Sequence, residues 1–271
     1  MEGLTAAFSA EPGGGPELGA LVAGFVLLMV GLAVLTPHRH SRGPMASPAG
    51  TRRALLYALF YALCASSFMR IVGSAVIGHD TSPWLLALGD VMFVTLGLFA
   101  WVMIVAEGHS FADYGLRWGP PGRMGLAFAM GIGAALFVGI EPWRMLLTGE
   151  AQPNSDRAVF ALLFATVGSA LPEELIFRGY LQGSLAKRAR RWARIALPAL
   201  AFTAVRALRF LPGPDLAMGD WLFYVFGTVL PLGLWWGLMR DWTGGSIWPG
   251  LVSHVLVALG PTLAGYTPAD I

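Results

Sequence analysis

The sequence has few charged residues and a single cysteine. Only 13% of its 271 residues are charged, whereas a soluble domain carries about 25%. Cys64 alone cannot form an internal disulfide or a cysteine-ligated metal cluster. The chain is instead 56% hydrophobic, with sixteen Phe and ten Trp. This composition argues against a soluble enzyme or a nucleic-acid-binding protein and indicates that lipid surrounds the chain.

The beginning of the chain lacks the basic region that opens a cleavable signal peptide. Residues 1–17 contain no Lys or Arg. We therefore predict a flexible leader over 1–17 and a retained membrane anchor from Leu18 onward. The expected organisation is one transmembrane domain over 18–265, with its motif-bearing half at 158–265, followed by a short tail over 266–271.

Apolar runs occupy most of this predicted domain. A membrane-spanning helix needs roughly 20 consecutive apolar residues. Eight segments approach that length: 18–36, 54–78, 83–106, 124–141, 158–183, 193–211, 220–240 and 246–265. They predict an all-α fold, a polytopic membrane bundle of about eight transmembrane helices.

Basic residues are concentrated in the loops on one side of the predicted bundle. Loops 37–53 and 184–194 carry nine of the eighteen Lys and Arg residues, and connections 107–123 and 241–245 belong to the same side. The positive-inside rule makes this side cytoplasmic and turns both termini outward. Rich usage of Arg, Ala, Gly and Pro suggests a bacterial source, so we expect an integral protein of the bacterial inner membrane.

Ionisable side chains within the predicted spans require a partner or a function. Each costs about 2.5–3.5 kcal/mol to insert at the bilayer centre. We predict that Arg70 and Asp90 form a neutralising pair between adjacent helices. Glu141 and Arg209 are expected to reach a membrane interface, Arg209 by extending its long side chain.

The densest polar cluster lies in the fifth predicted span. Glu174 and Arg178 are four residues apart, in the order that favours an ion pair on a helix. Glu173 then points about 100° away and has no partner within its own helix. A buried carboxylate of this kind suits a general base or acid. The alternative is a polar network of the helix bundle that performs no chemistry.

Two later spans supply candidate partners at a similar depth. Arg206 lies about 18 Å along the sixth predicted span from its basic end, and His254 lies about 12 Å along the eighth. We therefore predict that Glu173, Arg206 and His254 face one another across a water-accessible hollow. A lone histidine in a span is more often a hydrogen-bonded packing residue than a catalyst.

Two stretches of this half resemble the motifs of a known family. The Glu-Glu-x-x-x-Arg stretch at 173–178, followed by Gly-Tyr-Leu-Gln, resembles the first motif of the CAAX-protease and bacteriocin-processing (CPBP) family. The Ser-Ile-Trp-Pro-x-x-x-x-His stretch at 246–254 resembles its last motif. The resemblance is specific over roughly 160–265. It implies an intramembrane endopeptidase that hydrolyses a peptide bond in a membrane-associated protein or peptide.

The resemblance also implies roles for individual residues. Glu173 corresponds to the glutamate that activates the attacking water. Glu174 and Arg178 correspond to residues that organise the site, and His254 to a residue that lines the oxyanion site. No cofactor is expected, since one histidine and two glutamates fall short of a zinc ligand set, although a divalent metal stays an open alternative.

Two positions depart from the family pattern. The middle motif is Phe-x-x-x-His, but Phe202 is followed here by Arg206, and Ala258 stands where the last motif usually has Asn. An arginine cannot serve as a general base or a metal ligand. Arg206 can instead hold Glu173 as a carboxylate or donate hydrogen bonds to an oxyanion, and both routes are compatible with hydrolysis.

Three other functions stay open at this point. The first is a catalytically impaired family member that binds membrane peptides or partner proteins. The second is a transporter, because buried charges also mark ion paths. The third is a transpeptidase that uses Cys64 with Arg206 and His254, although Cys64 lies among apolar residues where an inert thiol is expected. The identity of the substrate is not readable from the sequence.

Overall fold

The computed structural model describes residues 45–77, 104, 108–153, 155–186, 188–209 and 217–264. Within them the chain is entirely helical and forms no β-strand. The helices, in chain order, are α1 Pro48–Ile77, α2 Pro121–Val138, α3 Ile140–Thr148, α4 at 155–184, α5 Arg191–Arg209, α6 Met218–Trp242 and α7 Trp248–Ala264. The predicted all-α fold class is therefore confirmed for the described residues.

Six of the eight predicted spans coincide with described helices: α1, α2, α4, α5, α6 and α7. The predicted spans 18–36 and 83–106 lie outside the described residues, apart from Ile104, as do the predicted leader and tail. Helices α2 and α6 are long and apolar enough to cross a membrane, and α7 is a shorter apolar helix. The count of about eight spans stays a prediction.

Helix α3 was not predicted. The fourth predicted span was expected to run to residue 141, but α2 ends at Val138, and α3 begins after Gly139. Trp143 of α3 packs against this break, where a Cβ on Gly139 would lie 3.1 Å from the indole ring. The helix ends at Gly149, whose φ of 76° is in the left-handed region that glycine adopts without strain.

Helix α4 carries the glutamate doublet and is not a uniform α-helix. Two π-helical stretches, Phe164–Ala170 and Glu174–Leu181, flank the short α-helical segment that contains Pro172. A proline has no N–H to donate, and its ring crowds the carbonyl of the preceding turn. Pro231 similarly follows the π-helical stretch Phe223–Val229 of α6. The even 100° step assumed from the sequence therefore does not hold along α4.

The surface of the fold differs from that of a soluble protein. Large apolar side chains face outward, with Phe137 79% exposed and Phe223 72% exposed. Charged side chains such as Glu173, Glu174 and Arg178 are buried inside the bundle, at 1% exposure or less. A lipid-facing surface with ionisable groups in the interior is the distribution expected of a membrane bundle.

The described parts of the four basic connections meet at one end of the bundle. Arg188 donates to Thr51 Oγ1 at 3.2 Å, and Arg191 pairs with Asp241 at 2.9 Å. Arg117 donates to the carbonyl of Gly244. These contacts place loops 37–53, 107–123, 184–194 and 241–245 on the same side, as the charge pattern predicted.

Candidate active site

The five residues singled out in the sequence come together in the interior of the bundle. Helix α4 positions Glu173, Glu174 and Arg178, α5 positions Arg206, and α7 positions His254. Four of them are buried, with exposures of 0% or 1%. The Arg206 side chain is 15% exposed and is therefore the member of the group that reaches toward the surroundings.

Glu173 receives its partners from three other helices. Its Oε1 accepts a hydrogen bond from the Tyr61 hydroxyl at 2.8 Å. Its Oε2 accepts from Arg206 Nη2 at 2.7 Å and from Arg206 Nε at 3.1 Å, and it lies 3.3 Å from His254 Nε2. The predicted juxtaposition of acid, guanidinium and imidazole is therefore present.

Among the described residues, the structure does not show the predicted water-accessible hollow around Glu173. The Glu173 side chain is 0% exposed, and Tyr61, Arg206 and His254 contact its carboxylate directly. The sequence placed these groups at one depth, but depth along a helix does not reveal how closely the neighbouring helices pack. The site in this structure is closed, with its polar groups bonded to one another.

Arg206 connects α5 to α4 and α7 through a single nitrogen. Its Nη2 lies 2.9 Å from Ser169 Oγ and 3.0 Å from His254 Nε2, in addition to its contact with Glu173. The guanidinium carbon lies 5.5 Å from the centroid of the Phe202 ring, one turn earlier on α5. A rigid fork held on this many sides has few alternative positions while the site is closed.

The two ring nitrogens of His254 face different partners. Nδ1 lies 3.2 Å from Glu174 Oε1. Nε2 lies 3.0 Å from Arg206 Nη2 and 3.3 Å from Glu173 Oε2. The imidazole therefore lies between Glu174 on one side and the Glu173–Arg206 pair on the other.

Aromatic rings fix the plane of this imidazole. The Trp236 ring stacks on His254 with centroids 4.2 Å apart and an interplanar angle of 19°. Phe202 meets the same imidazole edge-on at 5.8 Å. Trp236 is itself held by a hydrogen bond from its Nε1 to Ser253 Oγ at 3.0 Å, and Ser253 donates to the carbonyl of Gly131 on α2.

Glu174 and Arg178 form the predicted ion pair, with Oε1 and Nη1 3.3 Å apart. Arg178 also donates from Nη2 to the carbonyl of Gly233 at 3.2 Å, and its guanidinium lies 4.3 Å from the Phe202 centroid. Space for the Glu174 carboxylate depends on Gly250, where a Cβ would lie 3.1 Å from Oε2. The pair is thus enclosed by helices α5, α6 and α7.

The carboxylates and guanidinium groups of the site form two ion pairs. Glu173 pairs with Arg206 and Glu174 pairs with Arg178. Removing one member of a buried pair costs about 3–5 kcal/mol, because the other charge is left without compensation. This pairing explains how four ionised side chains are accommodated inside an apolar bundle.

In this structure Arg206 occupies the space between Glu173 and His254 in which a metal ion would have to bind. Arg206 Nη2 lies 2.7 Å from Glu173 Oε2 and 3.0 Å from His254 Nε2, the atoms that would have to bind the ion. A cation placed between them would meet a guanidinium that is always charged. The described residues also hold no group of three or more His, Cys, Asp and Glu side chains arranged as ligands.

Sequence reasoning missed three residues of this site: Tyr61, Ser169 and Trp236. Each is buried and hydrogen-bonded, but a single tyrosine, serine or tryptophan in an apolar helix carries no local signal of its partner. Tyr61 and Glu173 are 112 residues apart in the chain. Contacts of this kind follow from helix packing alone.

Several expectations concern side chains that the structure does not describe. The predicted Arg70–Asp90 pair and the environments of Cys64 and Arg209 lie outside the described side chains. Glu141 is exposed on α3 and pairs with Arg144 at 2.6 Å, a position compatible with the expected interface.

A family model described as type II CAAX prenyl endopeptidase Rce1-like matches residues 155–260. Comparisons with curated proteins and with solved structures gave no match. The matched segment contains all five of the residues predicted from the sequence. It does not contain α1, which contributes Tyr61 to the same site.

Proposed function

We propose that this chain, whose residues 155–260 match the model of the Rce1-like family of type II CAAX prenyl endopeptidases, is a glutamate-dependent intramembrane endopeptidase. Its substrate is a membrane-associated protein or peptide. The observation that carries the proposal is the buried Glu173 carboxylate, held between Tyr61 and Arg206 beside the His254 imidazole.

In the proposed reaction Glu173 is the base. It accepts a proton from a water molecule as the water oxygen attacks the carbonyl carbon of the scissile peptide bond. The carbonyl becomes a tetrahedral oxyanion. Glu173 then delivers the proton to the amide nitrogen as the C–N bond breaks, which yields a new carboxyl group and a free amine. Glu173 is restored as a carboxylate.

Arg206 is the proposed donor to the oxyanion. It is the partly exposed member of the group, so a substrate that enters along α5 meets it first. On substrate binding, one of its N–H groups exchanges a contact inside the site for the carbonyl oxygen. Removing a single oxyanion donor from other hydrolases costs about 100–1,000-fold in kcat.

His254 has a supporting role in this scheme. The family resemblance assigns it to the oxyanion site. Its Nε2 lies 3.0 Å from Arg206 Nη2, and its Nδ1 lies 3.2 Å from Glu174 Oε1. We propose that Nδ1 carries the proton, that Nε2 accepts from Arg206 and orients it, and that Arg206 supplies the positive charge. The site works without a metal ion in this proposal.

The remaining parts of the proposal concern the membrane. We propose a bundle of about eight spans in a bacterial inner membrane, with the basic end of the structure facing the cytoplasm. The exposed apolar surfaces of α2 and α6 support contact with lipid. Cysteine accessibility at the basic end and at α3, measured in intact cells, tests this orientation.

The decisive experiment uses Glu173→Gln in the full chain reconstituted in liposomes. A quenched-fluorescence peptide that ends in a prenylated cysteine followed by three residues reports cleavage. We expect the variant to lose cleavage, because a carboxamide cannot accept the proton from water. Mass spectrometry of new C-termini in cells that express either form extends the test beyond this one peptide. Wild-type cleavage rates in the variant would exclude Glu173 as the base.

A second candidate function is supported by the closed state of the site. Both oxygens of Glu173 are engaged and the carboxylate is 0% exposed, which also suits a relative that binds a membrane peptide without cutting it. This alternative predicts that an intact peptide copurifies with the wild-type chain and is never shortened. Restoring the family residues with Arg206→His and Ala258→Asn would then produce cleavage.

A further inference from the structure

We infer that Tyr61 is a positioning residue for Glu173, and this inference rests on the proposed function of that glutamate. The Tyr61 hydroxyl donates to Glu173 Oε1 at 2.8 Å, and both residues are 0% exposed. Tyr61 belongs to α1, which lies outside the segment that matches the family model. A part of the chain that precedes the matched segment therefore contributes to the site.

The packing of α1 against α4 explains why the tyrosine reaches this depth. Near the basic end, Ser184 donates to Thr51 Oγ1 at 3.0 Å. Tyr61 lies about 15 Å farther along α1, at ~1.5 Å per residue, and Glu173 lies a similar number of residues back along α4. The two helices run antiparallel, so these two steps end at the same level.

Small residues of α1 belong to the core that this helix shares with α4. Ala54, Ala58 and Ala62 of α1 are 0%, 4% and 3% exposed and belong to the same buried core as the motif-bearing part of α4. A hydrogen bond also joins the two helices, in which Arg53 Nε of α1 donates to the Tyr180 hydroxyl of α4 at 3.0 Å. The hydroxyl of Tyr61 is thus one of a series of contacts that fix the register of α1 on α4.

The hydrogen bond from Tyr61 orients the Glu173 carboxylate. Arg206 directs both Nε and Nη2 at the same oxygen, Glu173 Oε2. This one-sided attraction pulls the carboxylate toward α5. Tyr61 holds the other oxygen from the opposite helix, and the two donors together fix the plane in which the carboxylate presents its lone pairs to water.

The test replaces Tyr61 by Phe, which removes one hydroxyl and keeps the ring in place. We expect kcat toward the prenylated peptide to fall roughly 10- to 100-fold with little change in KM, because a hydrogen bond to a charged group is lost from the reacting carboxylate and not from the substrate. The matched control is Tyr180→Phe, which removes an equally buried hydroxyl that accepts from Arg53 on the same pair of helices.

An infrared measurement separates this inference from the proposed function. The difference spectrum between wild type and Glu173→Gln identifies the carboxylate band of Glu173 without any turnover. We expect Tyr61→Phe to shift that band and Tyr180→Phe to leave it unchanged. If the wild type fails to cleave, the proposed function falls and the band still reports on Tyr61. An unshifted band, an unchanged kcat in an active enzyme, or equal losses in both variants would overturn the inference.

Discussion

Two charged networks in this protein use the same residue types in opposite surroundings. Glu173, Glu174, Arg178 and Arg206 are buried between helices, whereas Arg144 on the exposed helix α3 pairs with Glu141 and Glu150. In the interior an unpaired charge has no water to compensate it, so each pair must be complete. On the surface, water and salt can replace either partner. Breaking an Arg–Glu pair should therefore destabilise the protein much more in the interior than on the surface.

The largest expected difference comes from removing one cation from the interior. Arg206→Gln leaves the Glu173 carboxylate without its charge partner, and we expect a loss of about 3–5 kcal/mol in the free energy of unfolding. The double variant Glu173→Gln with Arg206→Gln removes both charges and should recover part of this loss. Denaturant-induced unfolding in detergent micelles measures all three proteins.

The matched control for this experiment is Arg144→Gln, which breaks the exposed pairs on α3. Its unfolding midpoint should stay close to that of the wild type. The comparison fails if Arg144→Gln destabilises the protein as much as Arg206→Gln, or if the double variant is less stable than Arg206→Gln alone.

A smaller effect is expected where the buried network has little spare room. In Gly250→Ala the new Cβ would lie 3.1 Å from Glu174 Oε2 and 3.4 Å from the Trp236 Cβ. Crowding in a filled interior typically costs about 1–3 kcal/mol. We therefore expect a matching loss of stability and slower cleavage, because Glu174 and Trp236 both support His254.

Gly133→Ala is the control for this substitution. Gly133 is also within a helix, but a Cβ there meets nothing within 4 Å, so the same gain in helix propensity comes without crowding. Stability and activity should be unchanged or slightly raised. Equal behaviour of the two alanine variants would show that the space beside Glu174 is not a constraint.

The smallest effect is expected from pH at the exposed network. Hydrogen bonds from Arg144 lower the pKa values of Glu141 and Glu150 below their ordinary value of 4.5. A lowered pKa in the folded state means that these carboxylates contribute stability above pH 4.5 and lose it as the pH falls through their folded-state pKa. The small difference in melting temperature between wild type and Arg144→Gln should therefore begin to shrink below pH 4.5 and disappear once the pH is below the lowered pKa values. A difference that grows on acidification would contradict this assignment.

The sequence predicted the helices better than it predicted their interior geometry. Apolar runs located six described helices, because crossing a bilayer requires long apolar segments and leaves little choice of structure. The π-helical stretches on either side of Pro172 could not be predicted, because a run in which nearly every residue is apolar does not reveal the number of residues per helical turn. Helix α3 was missed because the break at Gly139 lies inside an otherwise continuous pattern.

For the site, the sequence identified the charged residues and the helices that carry them. An ionisable side chain inside an apolar run is conspicuous, and the spacing of Glu174 and Arg178 predicted their pair. Tyr61, Ser169 and Trp236 could not be found in this way, because nothing about their neighbours in sequence distinguishes them from packing residues. Their importance depends on which helices meet.

The sequence by itself therefore determined the helical character of the protein and the identity of its interior charges, because both follow from the cost of placing polar groups in hydrocarbon. Only the tertiary structure decided that both Nε and Nη2 of Arg206 bind one oxygen of Glu173, that His254 lies between Arg206 and Glu174, and that a tyrosine from α1 binds the other oxygen of Glu173. The reason is physical: a hydrogen bond forms only when its donor and acceptor lie about 3 Å apart, and helix packing sets that distance for atoms on different helices.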